Sequence, residues 1–276
     1  MKALSEELTS GELDLPAFPE GAVRVRKALE NPDVSIEQIA RLAAADPVLA
    51  ARLMKIANSA LLSGRSGDGV KDIRTAVTRL GFNMVRNTAV AIAMSQTMGG
   101  GSGPELNSRL GALWQHSVRV GAIAYVVARI YRGVNPDEAM LAGLLHDIGK
   151  LYILQRAEKY PALFGQGEIC HQIVGEWHTG VGSAILAGWN FGPEMIAVAE
   201  EHEQINRVTK TDADLVDVVL VANLLANDPQ EGEGIAGWAA LPSVIRLRLE
   251  KTPATDILTE SRDRLDSIVN ALDGQG

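Results

Sequence analysis

The sequence predicts an all-α fold, on three observations. Apolar residues recur at three- and four-residue spacing through almost every segment, and no run alternates with the period of two that a half-buried strand needs. Aromatic residues make up 4% of the chain against 46% for all hydrophobic types, so the core is built from Ala, Leu, Val and Ile, a mixture suited to close-packed helices. The periodic segments are punctuated by Ser, Asp, Asn, Gly and Pro at positions that start or stop helices. The expected architecture is a multi-helix bundle with an N-terminal helical subdomain.

In chain order, "SIEQIARLAAADP" opens with Ser35 as a cap and sets Ile36, Ile39, Ala40 and Ala43 on one face. Asp46-Pro47 restarts a helix, with Asp46 as N-cap, Pro47 at the first position and Val48, Leu49, Leu53 and Ile56 following. "LLSGRSGDGV" (61–70) reads as a loop. "KDIRTAVTRLG" is a helix stopped by Gly81, and 82–97 forms another. The Gly/Ser run at 99–104 is a flexible connector. Beyond it, helices are expected over 105–131, 136–157 (capped by Asn135-Pro136) and 168–189. Gly192-Pro193 opens "EMIAVAEEHEQI". "DADLVDVVLVANLLAN" (212–227) fits a helix or a buried strand by composition, and its length and Asp/Asn flanks favour helix. "DPQEGEG" is a linker, and 238–272 supplies two terminal helices. The chain thus divides into an N-terminal helical part (1–98), the connector (99–104), a helical core (105–227) and C-terminal helices of unassigned role (228–276).

The 276 residues suffice for one large domain or two small ones, and a mean hydropathy of +0.05 is that of an ordinary globular protein. No apolar run approaches the roughly 20 residues of a membrane span, and the acidic N-terminus has no signal-peptide core. A single cysteine, Cys170, excludes an internal disulfide framework and suits a reducing compartment, so a cytoplasmic protein is expected. Cys170 reads as a small buried residue, and Trp114 and Trp177 as core. The net charge of −8 disfavours nucleic acid and anionic membranes as the main partners.

The chemistry lies in the histidines. There are five: His116, His146, His171, His178 and His202. His146 and Asp147 stand side by side inside the apolar run "LAGLLHDIGKLYIL", where ionisable groups are costly unless satisfied. Adjacent helical residues project about 100° apart. Both can reach inward only where the helix lies against a pocket, with Gly143 and Gly149 thinning the backbone nearby. His116 and His178 lie about 30 residues to either side and could converge there, and imidazole with carboxylate suits Fe, Mn, Ni or Zn. Taken singly, each histidine reads as a hydrogen-bonded core residue, and spacing alone leaves both readings open. His171 has no matching partner and reads as structural or surface.

The motifs W-x-H at 114–116, "LLHDIGKL" at 144–151, "HTGVG" at 178–182 and "EEH" at 200–202 resemble the HD superfamily of metal-dependent phosphohydrolases. Upstream, "LAAADPVLAARLMKIANSALL" and "IRTAVTRLGFNMVRN", with "HTGVGSAILAGWNFGPEMIAVAEEH" further on, resemble the HD-related output domain (HDOD) family over roughly residues 15–227. "LPAFPEGAVRVRKAL" is similar to that family's start, which favours a stand-alone protein. The resemblance implies an HD-like helical bundle. It also implies a metal site at His116, His146, Asp147 and a residue of "LVANLLAN", where Asn223 replaces the usual Asp. HD-GYP phosphodiesterases add a His, matched by His178, and a His-His pair, where Glu201-His202 stands, but "EQINRVTK" holds no Gly-Tyr-Pro. Lys150 occupies the place of a phosphate-contacting lysine, a catalytic role only in an active enzyme. Asn223 and Glu201 are weak or degenerate ligand positions. As an HDOD protein the chain is expected to be a bacterial signal-transduction module, non-catalytic, acting on a protein partner or a nucleotide ligand, with the metal structural or absent. The alternative is a metal-dependent phosphohydrolase acting on a nucleotide or cyclic dinucleotide.

Overall fold

The computed structural model describes residues 20–29, 31–58, 70–98, 103–156, 167–209, 212–228, 235, 237–260 and 262. The expected entry segment, most of the 61–70 loop, most of the 99–104 connector and residues 263–272 of the terminal helices lie outside them. The described residues are helical, without a strand among them, and none of their helices is long and apolar enough to cross a membrane. They fall into two compact units, one from Phe18–Thr97 with Asp256–Gly276, the other from Met98–Thr255.

The first unit contains α1 (Glu20–Leu29), α2 (Ile36–Ala44), α3 (Pro47–Ala57) and α4 (Ile73–Met98). The expected caps form. Ser35 Oγ accepts from the Gln38 N–H while Gln38 Oε1 accepts from the Ser35 N–H, a reciprocal capping box. Asp46 Oδ1 takes the N–H groups of Val48 and Leu49 at 3.0 and 3.1 Å, with Pro47 at the first helical position. Ile39, Ala43, Leu49, Leu53 and Ala57 are buried. Asn58, just past α3, donates to the Val70 carbonyl at 2.9 Å and accepts from the Val70 N–H, and so ties together the ends of the 59–69 segment. Gly81 interrupts α4 with φ +76°, so the segment is two helices, as its sequence predicts.

The second unit holds α5 (Pro104–Tyr131), α6 (Pro136–Leu145), α7 (Ile148–Arg156), α8 (Gly167–Gly188), α9 (Pro193–Glu201), α10 (Leu215–Asn227) and α11 (Pro242–Arg246), with a 3₁₀ turn at Trp238–Ala240. α5 packs against α6 and α10, and α8 against α7 and α9. The 212–227 segment is the helix its length predicts. Apolar on all sides, α10 is buried from Leu215 to Asn223, as such a helix must be. Trp114 and Cys170 are buried, Cys170 against the Arg109 guanidinium, while Trp177 is half-buried and His171 exposed.

One expectation is corrected. The helix expected over 136–157 is two helices, α6 and α7, separated by a turn at His146 and Asp147. A straight helix would fan these neighbours apart, and the turn lets both side chains enter one pocket. Past 238, the described residues form the 3₁₀ turn and then two short helices, α11 and one at 254–260, where two terminal helices are expected. Arg248 in the left-handed region (φ 59°) and Pro253 break the run.

Candidate metal centre

Two glycines let the site assemble. A Cβ on Gly143 would lie 2.6 Å from the Gly121 Cα, so α5 and α6 meet backbone to backbone. One on Gly149 would lie 1.9 Å from the His178 carbonyl oxygen, so α7 runs directly against α8. These contacts bring the α6–α7 turn level with the middle of α5 and α8. His116 enters from α5, His146 and Asp147 from the turn, Lys150 from α7, His178 from α8 and His202 from the end of α9. Four of the five histidines thus surround Asp147. The ring centroids of His116 and His146 are 5.3 Å apart, those of His146 and His202 4.8 Å, and those of His178 and His202 5.4 Å.

The backbone aims the rings. Nδ1 of His146 lies 2.7 Å from the Gly143 carbonyl, that of His178 lies 2.8 Å from Val174 O, and that of His202 lies 3.1 Å from Val198 O. A carbonyl only accepts, so each Nδ1 carries a proton, and each ring is turned so that its Nε2 points inward. Those three Nε2 atoms and both Asp147 oxygens are buried, and among the described residues none has a partner in full hydrogen-bond geometry, although Lys150 Nζ comes close to Oδ2. The rings close in on one carboxylate: Asp147 Oδ2 is 3.2 Å from His146 Nε2 and 3.8 Å from His116 Nε2, while Oδ1 is 3.3 Å from His202 Nε2 and 3.7 Å from His178 Nε2. Buried imidazole and carboxylate groups so clustered could hold a metal cation among them. The residues fit a divalent transition metal.

Asp147 divides the site. His116, His146 and Asp147 form one potential ligand group, and Asp147, His178, His202 and Glu203 the other, each with donor atoms within 4.8 Å of one another. Lys150 Nζ is 2.9 Å from Asp147 Oδ2 and 3.4 Å from Glu203 Oε1. The side chains of His146, Asp147, His178 and His202 are at most 1% exposed, whereas His116, Lys150 and Glu203 are 20%, 23% and 46% exposed and form the mouth.

Charge follows this layout. Burial alone would raise the Asp147 carboxyl, but His146, His202 and Lys150 outweigh it and hold the group well below the carboxylate range. Burial, with His146 beside it, pushes His116 down to about 4, and burial also lowers His202, so both rings are neutral near pH 7. Contact with His178 pulls Glu203 down to about 2 despite partial burial, with Lys150 assisting.

The remaining expected residues behave differently. Asn223 sits on α10 within hydrogen-bonding range of His116 and accepts from Asn227 at 3.0 Å. Glu201, expected as a weak ligand, faces away and pairs with Arg207. α9 ends at Glu201 and His202 is its cap, so the carboxylate that turns into the site is Glu203, on the far side of His202. The sequence reading missed it by setting the pair one residue too early. Arg207 also grips Asp214 through two hydrogen bonds, at 3.0 and 2.7 Å, and its carbonyl accepts from Arg246, whose guanidinium holds the buried Asp217. This network fixes the segment that presents Glu203.

The HDOD domain model matches residues 15–205. A crystallised protein of Shewanella amazonensis SB2B, provisionally named a metal-dependent phosphohydrolase, is 29% identical and has a TM-score of 0.80, with 98% of this chain and 97% of that one covered. An HDOD domain protein of unknown function from Geobacter sulfurreducens is 27% identical with a TM-score of 0.70, covering 98% and 96%. A protein of Treponema pallidum (strain Nichols), named only as uncharacterized, is 25% identical over 230 residues, which are 76% of this chain but 42% of that longer protein. With its family model matched over most of its length and its fold shared with these structures, the chain belongs to the HDOD family.

Proposed function

We propose that this protein is a signalling module of the HDOD type, held in shape by a divalent transition metal at Asp147 and acting by binding a protein partner rather than by turnover. The observation that carries the reading is the enclosure of the donor set. His146, Asp147, His178 and His202 come from three separate parts of the chain, the α6–α7 turn, α8 and the cap of α9, and are essentially removed from solvent. Enclosed ligand sets of this kind are the mark of structural metals, whereas catalytic metals keep an open position. His116, His146, Asp147, His178, His202 and Glu203 would hold the ion, and Asn223, neutral where the family usually has Asp, lowers the charge that anchors it on the His116 side. Fe, Mn, Ni and Zn all suit these donors.

The test is elemental analysis of the purified chain together with thermal melts before and after chelation. Stoichiometric metal whose removal lowers the melting temperature, with no hydrolysis of bis(p-nitrophenyl) phosphate in added manganese, is the expected result. A chain that melts at the same temperature with and without chelator overturns the structural role.

Lys150 favours a second reading. Its ammonium lies at the mouth, where it could hold a phosphate oxygen, and the provisional name of the Shewanella relative points the same way. Under it the chain is a phosphohydrolase acting on a nucleotide or cyclic dinucleotide. The metal would supply Lewis acidity, Lys150 would bind and orient the phosphate, and the buried histidines would keep bulk water from the reacting side. Manganese-dependent turnover lost in both Lys150→Gln and Asp147→Asn would establish this second reading.

A further inference from the structure

We propose that the cleft between α1 and α2 binds a phosphorylated small molecule of nucleotide size. The cleft is open to solvent and offers about 580 Å³, within the roughly 300–1,000 Å³ range of small-molecule sites. Arg24 and Lys27 reach it from one face of α1, three residues apart, and Arg41 reaches it from α2. Val34 and Leu42, both part-buried, add apolar lining, and Asn31 stands at the turn between the helices.

Three cations converge here on a chain whose net charge is −8, and none of them is paired with a carboxylate among the described residues. The acid placed to neutralise Arg41 is Glu37, one helical turn earlier, but Arg74 holds its carboxylate at 2.6 Å instead. Asn31 spends its side-chain oxygen on the Asp33 N–H, which leaves its amide protons to donate. Among the described residues that line the cleft there is no carboxylate. Unpaired like charges repel one another, and an anion placed among them removes that cost. Arginine forks match phosphate oxygens two at a time, and the apolar lining suits the planar or aliphatic remainder of an organic phosphate. The described lining residues all fall between 24 and 42, a single helix–turn–helix, so the cleft suits a compact ligand better than an extended acidic peptide.

The site belongs to a different unit from the metal centre and does not depend on the function proposed for it. The test is fluorescence titration of the full chain with mant-labelled ADP, without added metal. It compares wild type, the Arg24→Gln/Arg41→Gln double variant and Lys150→Gln, with melting curves to confirm that each folds. The proposal expects saturable binding in wild type, weakened at least tenfold in the double variant and unchanged in Lys150→Gln. It also expects displacement by inorganic phosphate and weakening as salt is raised. Equal binding by the double variant, loss of binding in Lys150→Gln, no saturable binding in wild type, or displacement by a glutamate decapeptide at lower concentration than by ADP would each overturn it.

Discussion

The two sides of Asp147 use the same chemistry with opposite electrostatics. On the Oδ2 side, His116 and His146 face a carboxylate already contacted by the Lys150 ammonium, and the nearby amide of Asn223 brings no charge. On the Oδ1 side, His178 and His202 share the space with a second carboxylate, Glu203. Lys150 touches both sides, at Asp147 Oδ2 and at Glu203 Oε1, so against the same lysine a dication meets one negative group on the first side and two on the second. Coulomb attraction in a poorly solvated site therefore makes the Oδ1 side the tighter of the two. Position 223 and position 203 set this imbalance, since the imidazoles are matched.

The largest effect is expected for Asp147→Asn, which removes the anion common to both sides. Metal content should fall from stoichiometric to below detection by mass spectrometry, and retained metal would break the idea of a shared centre. Next comes Glu203→Gln, which should weaken metal affinity by at least the roughly 10–100-fold that even outer-shell partners of a metal site are worth. His116→Gln should cost visibly less, and competition titration with a chromophoric chelator reads both. Equal losses would mean that the two sides are not distinguished by charge.

Acid should separate the sides in another way. His116 is held at about 4 in the fold against an ordinary 6.5, so between those values the unfolded chain binds the extra proton and stability rises with pH. The contribution is fully present above about 6.5 and lost as pH falls towards 4, at most about 3 kcal/mol. Glu203, lowered to about 2, loses its share only between about 4.5 and 2. Melting curves of chelated protein should fall in two stages, and His116→Gln should flatten the first. The smallest effect belongs to Glu201→Gln, which should leave metal stoichiometry unchanged and cost no more than about 1 kcal/mol. A loss of metal there would return Glu201 to the ligand set.

Local signals were the legible ones. Ser35, Asp46 and Asn135 cap their helices because caps act within three residues, and Gly81 stops α4 by its own backbone freedom. The four site histidines and Asp147 were legible by type and by their place in apolar helices. The turn at His146 was not, because the apolar pattern of 136–157 runs through it unbroken and the break depends on the approach of α8 behind Gly149. Glu201 and Glu203 differ only in where α9 ends and in Arg207, six residues beyond Glu201, and neither is visible in spacing.

The carbonyl anchors on His146, His178 and His202 bear on timing as well as geometry. Rings already held in place need no rearrangement to take up an ion, and among the described site residues the exposed ones, past which an ion would leave, are His116, Lys150 and Glu203. Exchange should therefore be slow compared with folding. The metal recovered with the protein would then record which ion was abundant when the chain closed around it, and selectivity would have to be measured by refolding in defined metal mixtures rather than by soaking the native protein.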